Sequence, residues 1–213
     1  YGLLLEGDQS QIVALPVLSP ELNTINRTAQ FQLQPDGSLK GTVTEKRYGD
    51  ISENHRRLYV MGDAKEQSDF LDNTLGKDFT TFTVSGFVVQ NAASLSKDLT
   101  TSYSLSADHF AKAMGPLLMV RPRVLGSDGL ETDRKARRVP INLRETMQVT
   151  DDFSIELPPG YAVDETPDPV KVDLGFAAYQ SSVEVNGDTL HYTRTYTVRK
   201  VTLPSDQYGD LQK

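Results

Sequence analysis

The run from Ser182 to Val198 constrains the chain more than any other stretch. Ser182-Val183-Glu184-Val185 alternates polar and apolar residues, Asn186-Gly187 interrupts, and Thr189-Leu190-His191-Tyr192-Thr193-Arg194-Thr195-Tyr196-Thr197-Val198 continues the pattern. A period of two marks a half-buried strand, and Asn-Gly between two such runs is the strongest short-range hairpin signal. Upstream, Phe153-Ser154-Ile155-Glu156-Leu157 runs into Pro158-Pro159-Gly160, a turn by composition. From Val139 onward every local signal is β. Residues 136–213 are therefore expected to form an all-β, sandwich-like module.

The preceding residues mix signals. Leu3-Leu4-Leu5 and Ile12-Val13-Ala14-Leu15 flank Gly7-Asp8 as a short hairpin, and Pro16 and Pro20 then break the chain into a linker. Ala29, Phe31 and Leu33 alternate with glutamines, and Leu39, Gly41 and Val43 resume after Pro35-Asp36-Gly37-Ser38, which has turn chemistry at each position. Asp50-Ile51-Ser52-Glu53 has capping-box spacing and predicts a helix to Met61, stopped by Gly62. Asp63-Ala64-Lys65-Glu66 repeats the signature before Phe70, Leu71 and Leu75, with Gly76 at the end. Strands are expected at 80–89 and 99–105, a short helix over 106–115, and an edge strand over 116–125 containing Pro122. The expected fold is thus a β-rich α+β class: antiparallel sheets with one pair of helices in a module over 23–125, then the all-β module.

Composition narrows the function classes. The net charge of −7 disfavours a nucleic-acid backbone as partner and adsorption to anionic membranes. The absence of cysteine removes thiol nucleophiles, disulfides and thiolate metal sites. No apolar run approaches the roughly 20 residues that span a bilayer, so no membrane insertion is expected. Tyr1 is not a natural start and no basic-then-apolar leader follows, so no signal peptide is expected in this stretch.

Candidate chemistry is sparse. His55 reads as a helix residue between Asn54 and Arg56. His109 follows Asp108 among Ser102, Ser104 and Ser106, but the G-x-S-x-G elbow is lacking and adjacency in sequence is not triad geometry. His191 reads as a cross-strand pairing residue. No H-E-x-x-H or EF-hand pattern occurs, so no metal and no cofactor is expected. Arg121, Arg123, Arg134, Lys135, Arg137 and Arg138 form the one basic cluster, which either grips an acidic partner or is neutralised by Asp128, Glu131 and Asp133. Tyr192 and Tyr196 share strand parity and point the same way. With Tyr161 and Tyr179 they form a candidate stacking platform for glycan or peptide, valid only if that face is exposed. The contact candidates are therefore Tyr192, Tyr196, Arg137 and Arg138, with no catalytic residue among them.

Leu157-Pro158-Pro159-Gly160-Tyr161, then Pro167 and Pro169, then Ala178-Tyr179-Gln180-Ser181-Ser182-Val183-Glu184 and Asn186-Gly187-Asp188-Thr189-Leu190-His191-Tyr192-Thr193-Arg194 resemble the C-terminal region of bacterial transglutaminase-like proteins. Arg138-Val139-Pro140 and Leu203-Pro204-Ser205-Asp206 are similar to it as well. The resemblance implies a β-rich domain of unknown function behind a papain-like core whose Cys, His and Asp lie upstream of residue 1. Residues 1–22 would then be the exit segment of that core and a linker. The implied role is a non-catalytic accessory region of an exported protein, periplasmic or at the cell surface. Its implied partner is the core, on which it packs or to which it presents substrate. The alternative is a stand-alone β module that binds glycan or peptide.

Overall fold

The structure is a computed structural model that describes residues 2–127 and 138–212. A small hairpin comes first, β1 (Gly2–Leu4) against β2 (Gln11–Val13), antiparallel as its sequence suggests. Then follow β3 (Thr24–Leu33), β4 (Leu39–Tyr48), α1 (Glu53–Met61), α2 (Ala64–Leu75), β5 (Phe82–Gln90) and β6 (Leu99–Ala107). Two short pieces, β7 (Lys112–Met114) and β8 (Leu117–Met119), pair as a second small hairpin. The C-terminal part holds β9 (Ile141–Asn142), β10 (Met147–Glu156), β11 (Val170–Asp173), β12 (Ala177–Asn186), β13 (Thr189–Val198) and β14 (Thr202–Leu203).

Eight strands build one sheet in the order β11-β12-β13-β10-β3-β4-β6-β5. Every neighbouring pair is antiparallel except β10 and β3, which run parallel. The expectation of purely antiparallel sheets is corrected at that joint. It also places β10 to β13, expected as a sandwich-like module, edge to edge with the strands of residues 24–107 in one mixed sheet. The parallel partners are 124 residues apart in sequence, so no turn chemistry announces them.

Local signals explain most elements. At the β3–β4 turn, the Asp36 carboxylate accepts from the Ser38 backbone N–H (2.9 Å) and hydroxyl (2.7 Å), and Gly37 takes φ +82°. The β12–β13 turn places Gly187 (φ +64°) and Asp188 at its two central positions between the paired residues Asn186 and Thr189. Glycine first in a two-residue loop is the II′ signature. At α2 the reciprocal capping box of Asp63 and Glu66 is formed. At α1 the expected box is absent. Asp50 lies inside a 3-10 turn, and the side-chain amide oxygen Oδ1 of buried Asn23 accepts from the Ile51 N–H (2.8 Å). A distant side chain thus caps the 3-10 turn that leads into α1. The helix expected over 106–115 is also corrected: β6 runs on to Ala107, and Lys112–Met114 is strand. The strand expected over 116–125 shrinks to Leu117–Met119.

The sheet has two unlike faces. Odd positions of β3, β4, β6 and β10 and even positions of β13 point to the core: Phe31, Leu33, Leu39, Val43, Tyr103, Leu105, Phe153, Ile155, Leu190 and Tyr192 are all buried. Leu71 and Leu75 of α2, with Phe79, Val124 and Leu125, join that cluster. A second cluster gathers Ile141, Leu143, Phe176, Val198, Leu203 and Tyr208. Gly41 sits in the core row because Phe31 lies across it; a Cβ there would be 2.5 Å from the Phe31 ring and 2.1 Å from the Gln30 carbonyl oxygen. The opposite face is polar, joined by pairs such as Gln32–Glu156, Thr44–Ser102, Ser182–Thr193 and His191–Asp152.

Candidate functional site

A row of charge crosses the core face of the sheet. Strand register aligns Arg194 of β13, Asp151 of β10, Arg27 of β3 and Glu45 of β4 as successive neighbours. Asp151 is 2% exposed and Arg194 is 6% exposed. Arg194 Nε lies 2.7 Å from Asp151 Oδ2, and Arg27 Nη1 lies 3.6 Å from Asp151 Oδ1. Neither contact has the alignment of a directed hydrogen bond, so these are ion pairs held by charge. Arg27 Nε reaches Glu45 Oε2 at 3.1 Å, and Arg47 Nε donates to Glu45 Oε1 at 2.5 Å. Burial raises the Glu45 carboxyl, but Arg47 and Arg27 outweigh it and hold it below the usual range.

Apolar rows flank the charges. One step along the strands lie Ala29, Val43, Phe153 and Tyr192; one step the other way lie Ile25, Val149 and Tyr196. The loop after β8 folds over the row. Gly126 and Ser127 donate their N–H groups to the Asp78 carboxylate at 2.9 and 3.0 Å, and the Arg123 guanidinium donates to the Gly126 carbonyl. Gly126 takes φ +71°, and a Cβ there would overlap the Arg27 guanidinium at 1.6 Å. Burial depresses the Arg123 guanidinium, and nearby Arg194 adds to the effect. Arginines do not give up protons at working pH, and Glu45 is kept ionised, so this row stores charge and orients strands without supplying a general acid or base.

The histidines occupy three different settings. His55 of α1 packs edge-on against Phe70 at 4.9 Å between ring centroids, with Tyr59 next to it. Burial lowers the imidazole to about 4, with Arg47 adding and Glu45 opposing, and burial raises the Tyr59 phenol to about 12. This sets a pH dependence. The imidazole stays neutral in the folded chain down to about 4, whereas the unfolded chain takes up its proton near 6.5. Stability from this group is complete above about 6.5, falls as pH drops through that value, and levels off below about 4, a loss of up to about 3 kcal/mol. Urea midpoints of the wild type and His55→Phe, compared at pH 7, 6 and 5, should show the wild type losing stability relative to the variant as the pH falls. A constant gap would show that His55 protonates equally in both states. His109 lies exposed in the turn after β6 with φ +55°, and no hydrogen bond among the described residues joins it to a serine. His191 Nε2 sits 2.8 Å from Asp152 Oδ1 on the polar face, a cross-strand contact.

Of the sequence-derived contact residues, the two tyrosines do not form an open surface. Tyr192 is 6% exposed and stacks at a tilt on Phe153, 6.1 Å between centroids. Tyr196 is half-buried against the second core cluster. The exposed stacking platform is therefore corrected: the face these tyrosines share is the core face. Arg138 is exposed, while Arg134, Lys135 and Arg137 lie outside the described residues. Arg121 donates to the Asp78 carbonyl oxygen. Among the described residues no group of His, Asp and Glu could hold a metal ion. Among the described residues no helix is long and apolar enough to cross a membrane.

What local pattern did not reveal is a groove of about 600 Å³ at the end of the main core. Its floor is Leu33, Val183 and Leu190 from three sheet strands, one wall is β8 with Pro116 and Pro122, and the other is the irregular segment 157–167. Met119, Leu117 and Tyr161 are exposed at its mouth. Among the described residues, Asp164 and Glu165 are its only charged lining residues.

Residues 119–213 match a family described as a domain of unknown function with solved-structure structure, DUF3858. The matched residues take in β9 to β14 and the 157–167 wall, but not β3, the parallel partner of β10. No curated protein and no solved structure matches the chain.

Proposed function

We propose that this chain is a non-catalytic accessory region of an exported transglutaminase-like protein, periplasmic or at the cell surface. It packs on an upstream papain-like core or presents substrate to it. The observation that carries this reading is the β1–β2 hairpin. Leu3, Leu5 and Ile12 are 64%, 74% and 75% exposed, and Leu15 and Val17 follow them with more than half their surface in water. Exposed apolar side chains concentrated on one short hairpin and the residues just after it mark a docking element. The resemblance of residues 157–194 supplies the identity of the body it docks on, and the match to a domain of unknown function is compatible with a role outside the chemistry.

Two measurements test this. Backbone hydrogen exchange at residues 2–13 should be fast in the chain alone and slow in the parent protein. Fast exchange in both would remove the docking role. Amidase, protease and transglutaminase assays on the chain alone should show no turnover; turnover that survives removal of each histidine in turn would sink the accessory reading.

A further inference from the structure

We propose that the groove between β8 and residues 157–167 binds an extended peptide, seating one apolar side chain on its floor and a neighbouring Lys or Arg against Asp164 and Glu165. This site is independent of the docking hairpin. The volume of about 600 Å³ lies within the range of ligand sites, and the floor is continuous with the buried core through Leu33 and Leu190. An apolar side chain placed there leaves water for a surface already built of packed hydrocarbon.

The charge selects the ligand class. Among the described residues, both charged lining residues are carboxylates, and no ion pair engages either one. The chain as a whole carries −7, which adds to the local field. A fatty acid or an anionic lipid headgroup would meet like charge at the rim. A glycan would find one aromatic ring, Tyr161, and few polar partners on an apolar floor. A peptide with adjacent apolar and basic side chains matches floor and rim together, and the Tyr161 ring adds a face for the cation. The wall is also stiff: Pro158, Pro159 and Pro167 fix φ along it, so little order has to be created on binding.

The test is fluorescence anisotropy with three labelled heptapeptides: Gly-Lys-Leu-Pro-Leu-Lys-Gly, its counterpart with glutamate for lysine, and its counterpart with serine for leucine. The lysine–leucine peptide should bind saturably below about 1 mM. The other two should bind at least about tenfold more weakly, and raising salt should weaken only the lysine-bearing peptides. The double variant Asp164→Asn/Glu165→Gln, at two exposed positions, should keep the wild-type melting temperature and lose about tenfold in affinity for the lysine–leucine peptide. Absence of saturable binding, equal binding of the glutamate peptide, or an unchanged affinity in the double variant would each overturn the proposal. So would tighter binding to vesicles of anionic phospholipid than to the lysine–leucine peptide.

Discussion

Replacing Asp151 with alanine is expected to lower the unfolding free energy by about 3–5 kcal/mol, the usual cost of removing one partner from a buried ion pair. Asp151 stands between Arg194 and Arg27, and its side chain has no exposed surface. Without it Arg27 keeps Glu45, but Arg194 is left buried with Arg123 as a charged neighbour. The second arginine should therefore be the main source of the loss. Urea denaturation of Asp151→Ala and of Asp151→Ala/Arg194→Met separates the two effects. The double variant should be the more stable, because methionine fills the space without a charge that needs solvating. Equal instability would mean that Arg194 finds water or another partner once Asp151 is gone.

Phe153→Ala should be comparably severe, at about 3–5 kcal/mol, for an unrelated reason. The ring is fully buried in the central strand β10. It meets Phe31 edge-on at 6.3 Å and Tyr192 at 6.1 Å, so it joins the apolar rows of three adjacent strands. Truncation removes hydrocarbon contact and leaves a cavity that rigid neighbours on a hydrogen-bonded sheet cannot close. Phe153→Leu should recover much of the loss. A cost below about 1 kcal/mol for the alanine variant would show that the surrounding rings collapse into the space.

The elements that sequence discloses are those built by near neighbours. The Asp36–Ser38 turn, the Asp63–Glu66 box and the β12–β13 hairpin each need only a few consecutive residues, and each forms. The failures have a common cause in distant partners. Asn23 caps the 3-10 turn that takes the place of the box expected at α1, and the β7–β8 hairpin displaces the helix expected before Gly115. The charged row was partly legible. Arg27 falls in phase with Ile25, Ala29 and Phe31; Asp151 falls in phase with Val149 and Phe153; Arg194 falls in phase with Leu190 and Tyr192. An ionisable group on the apolar phase of a strand is a signal of buried charge. Which strands bring these groups together is set by the β3–β10 register, and no local pattern encodes that. The groove escaped for the same reason, since its floor and walls come from residues 33, 116–122, 157–167 and 183–190.

The parallel joint between β3 and β10 also sets a clock on synthesis. Residues Thr24 to Gln32 of β3 each pair with a residue made 124 positions later. At roughly 5–20 residues per second the ribosome needs about 6–25 s to deliver the partner. From the completion of β6 until β10 is made, the β3–β4–β6–β5 half of the sheet has an open flank at β3, lined with unpaired N–H and C=O groups and bearing Arg27 without Asp151. A nascent chain in that state is a template for pairing with another strand, and its yield on expression will follow how well that flank is shielded until β10 arrives.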